Sequence, residues 1–268
     1  MLSIETSTAV ESIQVDVSSL DFPYLVQTSR GTIQASHVVH ATNAFATNLV
    51  PGLRGKATGA RVQMTSQRPG LHFPNLNGQR SWSVIYPSGF DYITQRPTMD
   101  GVPGNVMLGG GFTQSRKQGN DQVGVYDDST TDALTDAHNL GIMATIFEPR
   151  WGRAVDESPN AVWSGIMGVT GDSRPLVGRL EPALTGRKLK MSKTRPDASE
   201  WIAAEFCGEG MIWAWLSGTA VALMVLGLED EELDAAPGRP GGRLHDWFPQ
   251  ELLPTPRRLA EMDLADLI

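Results

Sequence analysis

Apolar residues run through this chain in short stretches broken by turn chemistry, until one long uncharged run begins at Gly210. Tyr24 to Thr28 is β-rich, and Ser29-Arg30-Gly31 supplies a turn in which Gly31 is free to take positive φ. Thr32 to Ala41 continues as β and closes on "HVVHAT". That end is apolar with little alternation, the pattern of a strand covered on both faces. "NAFATNLVPGL" predicts a short helix, with Asn43 as its cap and Pro51-Gly52 as its stop. From Arg54 to about Asn160, β-like pieces ("ARVQMTSQ", "SWSVIYP", "FDYITQRP", "NVMLGGGF") alternate with turn residues. They predict a mostly antiparallel sheet forming a second lobe. "DDSTTDALTDAHNLGIMATIFEPRW" reads as a helix capped near Thr131 or Asp132. The run from Gly210 to Leu228 predicts a buried helix, with Ala214, Gly218, Ala222 and Val225 on one close-packing face.

Composition narrows the class. The 268 residues are 40% hydrophobic and 19% charged, enough apolar material for one large domain or two smaller ones. Twenty-two basic against thirty acidic residues leave a net charge of −8, which excludes a nucleic-acid surface. Acidic residues flank the long apolar run and no Lys or Arg sits near its ends, so it lacks the charge bias of a membrane span. Cys207 is the only cysteine, and the first residues have no basic region followed by an apolar core. A cytoplasmic protein without a signal peptide is the expectation.

Most catalytic signatures are missing. The five histidines form no metal spacing, so no metal is expected. "GDSRP" has proline where a hydrolase elbow needs glycine, and "LGGGF" lacks the lysine of a phosphate loop. The turn Gly208-Glu209-Gly210 opens a helix, whose N-terminus offers free N–H groups and partial positive charge. A tight turn entering a buried helix and a turn facing a ligand both account for it. For the second, Gly210 is expected to refuse a β-branched side chain.

Four segments, "VVHATNAFATNLVPGL", "ARVQMTSQRP", "WSGIMGVTGDSRPLVG" and "WIAAEFCGEGMIWAWLSGTAVALMVLG", together resemble the FAD-dependent oxidoreductases of the D-amino-acid oxidase type, in order and spacing. The likeness is to uncharacterised fungal-type members and spans about Glu5 to Glu229. It implies an α/β (mixed α+β) fold: a partial Rossmann-like FAD-binding domain with an antiparallel-sheet substrate lobe. The expected division is 1–53 with 161–233 for the first, 54–160 for the second, and a surface tail over 234–268. The resemblance places Ala41, Thr42, Asn43 and Ala44 near the cofactor, with Arg61 and Gln63 near the flavin. Thr170, Asp172, Pro175 and Gly178 would lie against the flavin and its ribityl chain. Gly208, Glu209, Gly210 and Met211 would present N–H groups to the pyrimidine edge, although Glu209 stands where many relatives have histidine. The implied chemistry is hydride removal beside an amine, delivered to non-covalently held FAD and followed by reoxidation by oxygen. Arg61 and Arg96 are candidates for a substrate carboxylate, and Tyr86 and Tyr92 for the pocket wall or for plain sheet packing. The family begins with a G-x-G-x-x-G βαβ unit that this sequence does not contain. FAD held weakly or not at all, self-association through an exposed face, and a non-catalytic remnant or interaction module follow as expectations.

Overall fold

A computed structural model describes residues 2–19, 21–153, 161–189 and 198–267. In chain order its elements are β1 (Val10–Val15), β2 (Tyr24–Thr28), β3 (Gly31–Ala35), β4 (His37–His40), α1 (Ala46–Leu49), β5 (Ala57–Gln67), β6 (Ser81–Tyr86), β7 (Gly89–Gln95), β8 (Val106–Gly110), α2 (Ala133–Ile146), β9 (Ala161–Thr170), β10 (Leu176–Leu180), α3 (Pro182–Thr185), β11 (Ser199–Ala204), α4 (Gly210–Leu226), α5 (Leu244–Trp247) and α6 (Pro256–Glu261). The fold is mixed α/β with antiparallel sheets. The chain forms two compact units, residues up to Thr58 with those from Gly168 onward, and Gly59–Met167. The divisions fall inside β5 and β9 rather than at 53/54 and 160/161. Residues 154–160, where the second lobe was expected to end, lie outside the described residues.

The second unit carries the sheet order β6-β7-β8-β5-β9, with β6, β7, β8 and β5 paired antiparallel. Its core gathers Ile93, Val106, Leu108, Met143 and Trp151. Helix α2 begins at Asp132, whose carboxylate accepts the Thr135 N–H and satisfies an orphan donor of the first turn.

In the first unit, the stretch predicted as one strand from Thr32 to Ala41 bends at Ser36. Residues before the bend complete an antiparallel sheet, β1-β2-β3. Those after it pair parallel to β11 in a second sheet, β10-β11-β4. Alternation then sorts the side chains of β10 and β11. Leu176, Leu180, Ile202 and Ala204 face a core with Ala46, Val50, Leu53, Leu259 and Met262. Val177, Trp201 and Ala203 face the other way, onto Ala220, Val221, Leu223, Leu244, Phe248 and Leu252. Each such side chain removed from water contributes roughly 1.5–3 kcal/mol. Both faces therefore need cover, and residues after 234 supply much of it. Leu244, Phe248, Leu252, Leu259 and Met262 of the tail belong to the core of this unit, while residues 234–243 stay exposed or half-buried. At β4, by contrast, Val39 is half exposed, so this strand is not covered on both faces.

Helix α4 stops at Gly227, which takes the left-handed conformation and returns its N–H to Leu223 and Met224 carbonyls. Its buried face is Ser217, Ala220, Val221 and Leu223. Ala214, Gly218 and Ala222 point outward, with exposed Met211, Ile212 and Trp215, and of the row expected to pack closely Val225 alone packs against the core. A helix apolar all round does not encode in its periodicity which face is inside. No helix among the described residues is long and apolar enough to cross a membrane.

Ile202→Ala should lower stability by about 2–5 kcal/mol in chemical denaturation, through lost burial and a cavity. Val39→Ala should cost less than about 1 kcal/mol. Equal losses at the two sites would contradict this assignment of the core.

Candidate cofactor site

Parallel pairing of β4 with β11, from His37↔Ser199 to His40↔Ile202, brings the carboxyl ends of both strands to one edge. Loop 41–45 leaves from β4 there, and turn 205–210 leaves from β11. β10 is antiparallel to β11, so loop 171–175, which feeds it, arrives at the same edge. Carboxyl ends of parallel strands are where open α/β sheets bind ligands.

The three segments interlock. Asn43 Oδ1 accepts the Phe206 N–H at 3.0 Å, and the Cys207 N–H reaches the Gly168 carbonyl at 2.8 Å. Thr170 Oγ1 lies 3.5 Å from Cys207 Sγ and accepts the Arg174 N–H at 3.0 Å. A Cβ on Gly168 would stand 2.5 Å from Glu205 Oε2 and 2.9 Å from Ala44 N, so only glycine lets these loops meet. Asn43, Ser173, Glu205 and Cys207 all take positive φ without being glycine. Each costs on the order of 1 kcal/mol or more, and such residues persist only where the surroundings over-determine them.

Glu205 is the outlier. It is fully buried, and neither carboxylate oxygen has a hydrogen-bond partner. Burial pushes its pKa up to about 8, so the carboxyl is held protonated at neutral pH. Cys207 beside it is also raised, mainly by burial. Sequence reading passed over Glu205, although an acid closing the apolar strand "WIAA" was the signal.

The expected cofactor residues divide by location. Asn43, Ala44, Thr170, Gly208 and Gly210 converge on the interlock, while Ala41 and Thr42 are exposed at its rim. Asn43 does not cap a helix; its side chain serves Phe206 instead. Asp172 is engaged within its own loop and with Arg258. Pro175 presents its carbonyl to Arg258, and Gly178 makes room for Leu253. Gly208 has φ 83 and is the glycine that the turn requires. Gly210 has open space among the protein's own atoms, its would-be Cβ meeting only Phe206 Cβ at 3.8 Å, so no other part of the chain refuses a β-branched residue there. Glu209 precedes α4, and its carboxylate accepts the Trp213 indole N–H. Met211 is fully exposed at the open helix start.

The remaining candidates belong to the second unit. Arg61 is tied to Gln122 Oε1 and to Thr130, and Gln63 holds the start of α2 through Asp132 and Asp136. The Tyr86 hydroxyl donates to Asp91, a buried carboxylate that also meets His138 at 2.8 Å. Tyr92 lies against Gly109, and Arg96 is exposed just past β7. No cluster of metal-ligating side chains occurs among the described residues. A cavity of about 530 Å³, lined by Arg179, Trp201, Met224 and Leu253, opens at the other end of α4, by Gly227. It lies at the last turn of α4, the end opposite the interlock, and has no part in the site.

These residues fit the flavin end of FAD. Gly208 and Gly210 leave the start of α4 clear of side chains, and its first N–H groups and positive dipole end suit a carbonyl gaining negative charge. A model of the family described as FAD dependent oxidoreductase matches residues 2–224. The chain belongs to this family. Its fold is similar to glycine oxidase from Geobacillus kaustophilus (TM-score 0.54, 23% identity), covering 86% of this chain and 51% of that one. It is also similar to NikD, an unusual amino acid oxidase essential for nikkomycin biosynthesis (TM-score 0.54, 13% identity, 88% and 54%). A third is fructosamine oxidase from Aspergillus fumigatus (TM-score 0.53, 10% identity, 81% and 47%). The chain thus spans about half the length of these structures. Among curated proteins, none matches.

Glu205 gives the fold of this family member a pH signature. The unfolded carboxyl ionises near 4.5 and the folded one near 8. Its contribution to stability is therefore whole below about 4.5 and is lost as pH rises to about 8. The loss should be on the order of 4 kcal/mol. Denaturation of wild type and Glu205→Gln across pH 4–9 should show that difference, flat above about 9. Parallel stability curves would refute a neutral buried acid.

Proposed function

We propose that this chain carries the flavin-facing part of an FAD-dependent oxidoreductase acting on amines or amino acids. The observation that carries the reading is the interlock of loops 41–45, 168–175 and 205–210 at the carboxyl ends of β4 and β11. There the start of α4 is left open between two glycines. When bound, the flavin supplies hydride acceptance from the carbon beside the amine and reoxidation by oxygen.

The chain's own groups have definable work. Backbone N–H groups of Gly208, Gly210 and Met211 hold the pyrimidine edge and favour its negative charge, the Glu209 N–H being given to the Phe206 carbonyl at 2.8 Å. Thr170, Asn43 and Ala44 shape the wall beside it. The protonated Glu205 keeps a second negative charge away from that edge. Substrate carboxylate is met by an arginine; exposed Arg96 is the better candidate, since the Arg61 guanidinium already serves Gln122 and Thr130. Tyr86 and Tyr92 are proposed as pocket-lining residues. FAD is held non-covalently, and the protein works in the cytoplasm on small molecules, without nucleic acid or membrane partners.

The pyrophosphate of FAD needs a glycine-rich helix start, and this sequence has no G-x-G-x-x-G. Two or three missing charge-assisted bonds weaken binding by about 4 kcal/mol or more, roughly a thousandfold. FAD is accordingly held only weakly by this chain alone, through its flavin end. The exposed apolar side of α4 gives it a surface for self-association. The same features favour a second reading, a non-catalytic interaction module.

Purified as the sequence stands, the chain should be colourless and produce no amine-dependent peroxide. Joined to a G-x-G-x-x-G βαβ unit from a relative, it should show a bound-flavin spectrum, and Gly210→Val, whose side chain has room among the protein's own atoms, should abolish that spectrum while leaving the protein folded. A folded joined protein without flavin would favour the interaction module. A flavin spectrum on the chain by itself would overturn the weak-binding claim.

A further inference from the structure

We propose that Arg258 is a positioning residue for this site, and that helix α6 is a strap setting loop 170–175 and, through it, turn 205–210. The cofactor part of this inference rests on the function proposed above; the strap itself does not.

Arg258 lies 86 residues from the loop it meets. Its Nε donates to Asp172 Oδ2 at 2.8 Å, and one terminal nitrogen donates to Asp172 Oδ1 at 3.0 Å and to the Arg174 carbonyl at 2.9 Å. The other terminal nitrogen reaches the Pro175 carbonyl at 3.0 Å. A planar fork thus collects a carboxylate and two carbonyls of one loop, a geometry that lysine cannot copy. The Arg258 side chain is 11% exposed, which shields the pair from the screening that weakens surface ion pairs. Burial raises the Asp172 pKa, but the bonds and charge of Arg258 outweigh it, leaving the carboxyl below its ordinary value.

The strap is anchored independently of this pair. Thr255 caps α6 by accepting the Arg258 N–H, Leu259 and Met262 are buried, and Lys56 Nζ donates to the Met262 carbonyl at 2.7 Å. The Gly171 backbone lies so close to the Asp263 backbone that a Cβ has no room. From Asp172 the connection continues inward. Asp172 Oδ1 and Thr170 Oγ1 both accept the Arg174 N–H, Thr170 touches Cys207, and the Cys207 N–H returns to Gly168. Three contacts, Arg258 to Asp172, Asp172 to Thr170 and Thr170 to Cys207, therefore lead from the guanidinium to the turn that opens α4.

Hydrogen exchange read by mass spectrometry on the whole 268-residue chain tests this. In Arg258→Met, peptides covering 168–175 and 205–211 should exchange about tenfold faster or more, with 81–95 unchanged. Arg258→Lys should recover only part of the protection. Should Arg258→Met unfold throughout, Asp172→Asn, which removes the same pair at constant volume, should give the same two-loop pattern. Wild-type exchange at 205–211 in a folded variant overturns the proposal. Riboflavin affinity should fall about tenfold in parallel. Failure of wild type to bind riboflavin would count against the cofactor reading, while the exchange rates still decide the strap.

Discussion

The parallel pairing of β4 with β11 is the contact on which the rest of the first unit depends. It brings a four-residue strand from early in the chain to one that starts at Ser199. That single register sets both strand ends at one edge, and hence the meeting of three loops. It is reinforced below the surface by Glu200, whose carboxylate meets His40 at 2.8 Å and takes a two-pronged bond from Arg187. Burial works against the charge on Glu200, and those two partners overcome it and lower its pKa. Pairing offsets the cost of burying this carboxylate, whereas Glu205 at the far end of the same strand has no partner to do so.

The contrast between the two acids describes the unit. At the strand's start the Glu200 carboxylate is paired on both oxygens and the network is structural. At its end the backbone is left-handed at Glu205 and Cys207 and a carboxyl lies unpaired. Strain of this kind is retained where surrounding structure enforces it, and here the enforcement comes from Asn43, Gly168 and the tail. The tail therefore contributes in two ways, by covering both faces of β10 and β11 and by gripping the loop at Asp172.

Much of this was legible in the sequence. Alternating β pieces from Ala57 to Gly110 and the Asp132 cap of α2 followed local rules that the fold obeys. The order of the family segments pointed to Asn43 and Thr170, which the fold brings against Phe206 and Cys207 of one turn. Other features depend on contacts distant in the chain. The bend at Ser36 is set by which sheet each half joins, and β-favouring residues stand on both sides of it. The inward face of α4 is chosen by Val177, Trp201 and Ala203, and an apolar helix does not record that choice. Arg258 sat in a Pro-rich tail that composition alone read as surface. Its role appears only when Asp172 is beside it. Gly210 drew attention by its motif, whereas the backbone demand falls on Gly208, two residues earlier.

The central claim is that these three loops form a flavin-facing surface. Amide chemical-shift mapping of the labelled chain with riboflavin, which lacks the pyrophosphate, tests it most directly. The account requires shifts confined to amides of 41–45, 168–175 and 205–211, saturating together with one dissociation constant. Shifts gathered instead around Arg179, Trp201 and Leu253 at the other end of α4, or none at saturating riboflavin, would contradict it.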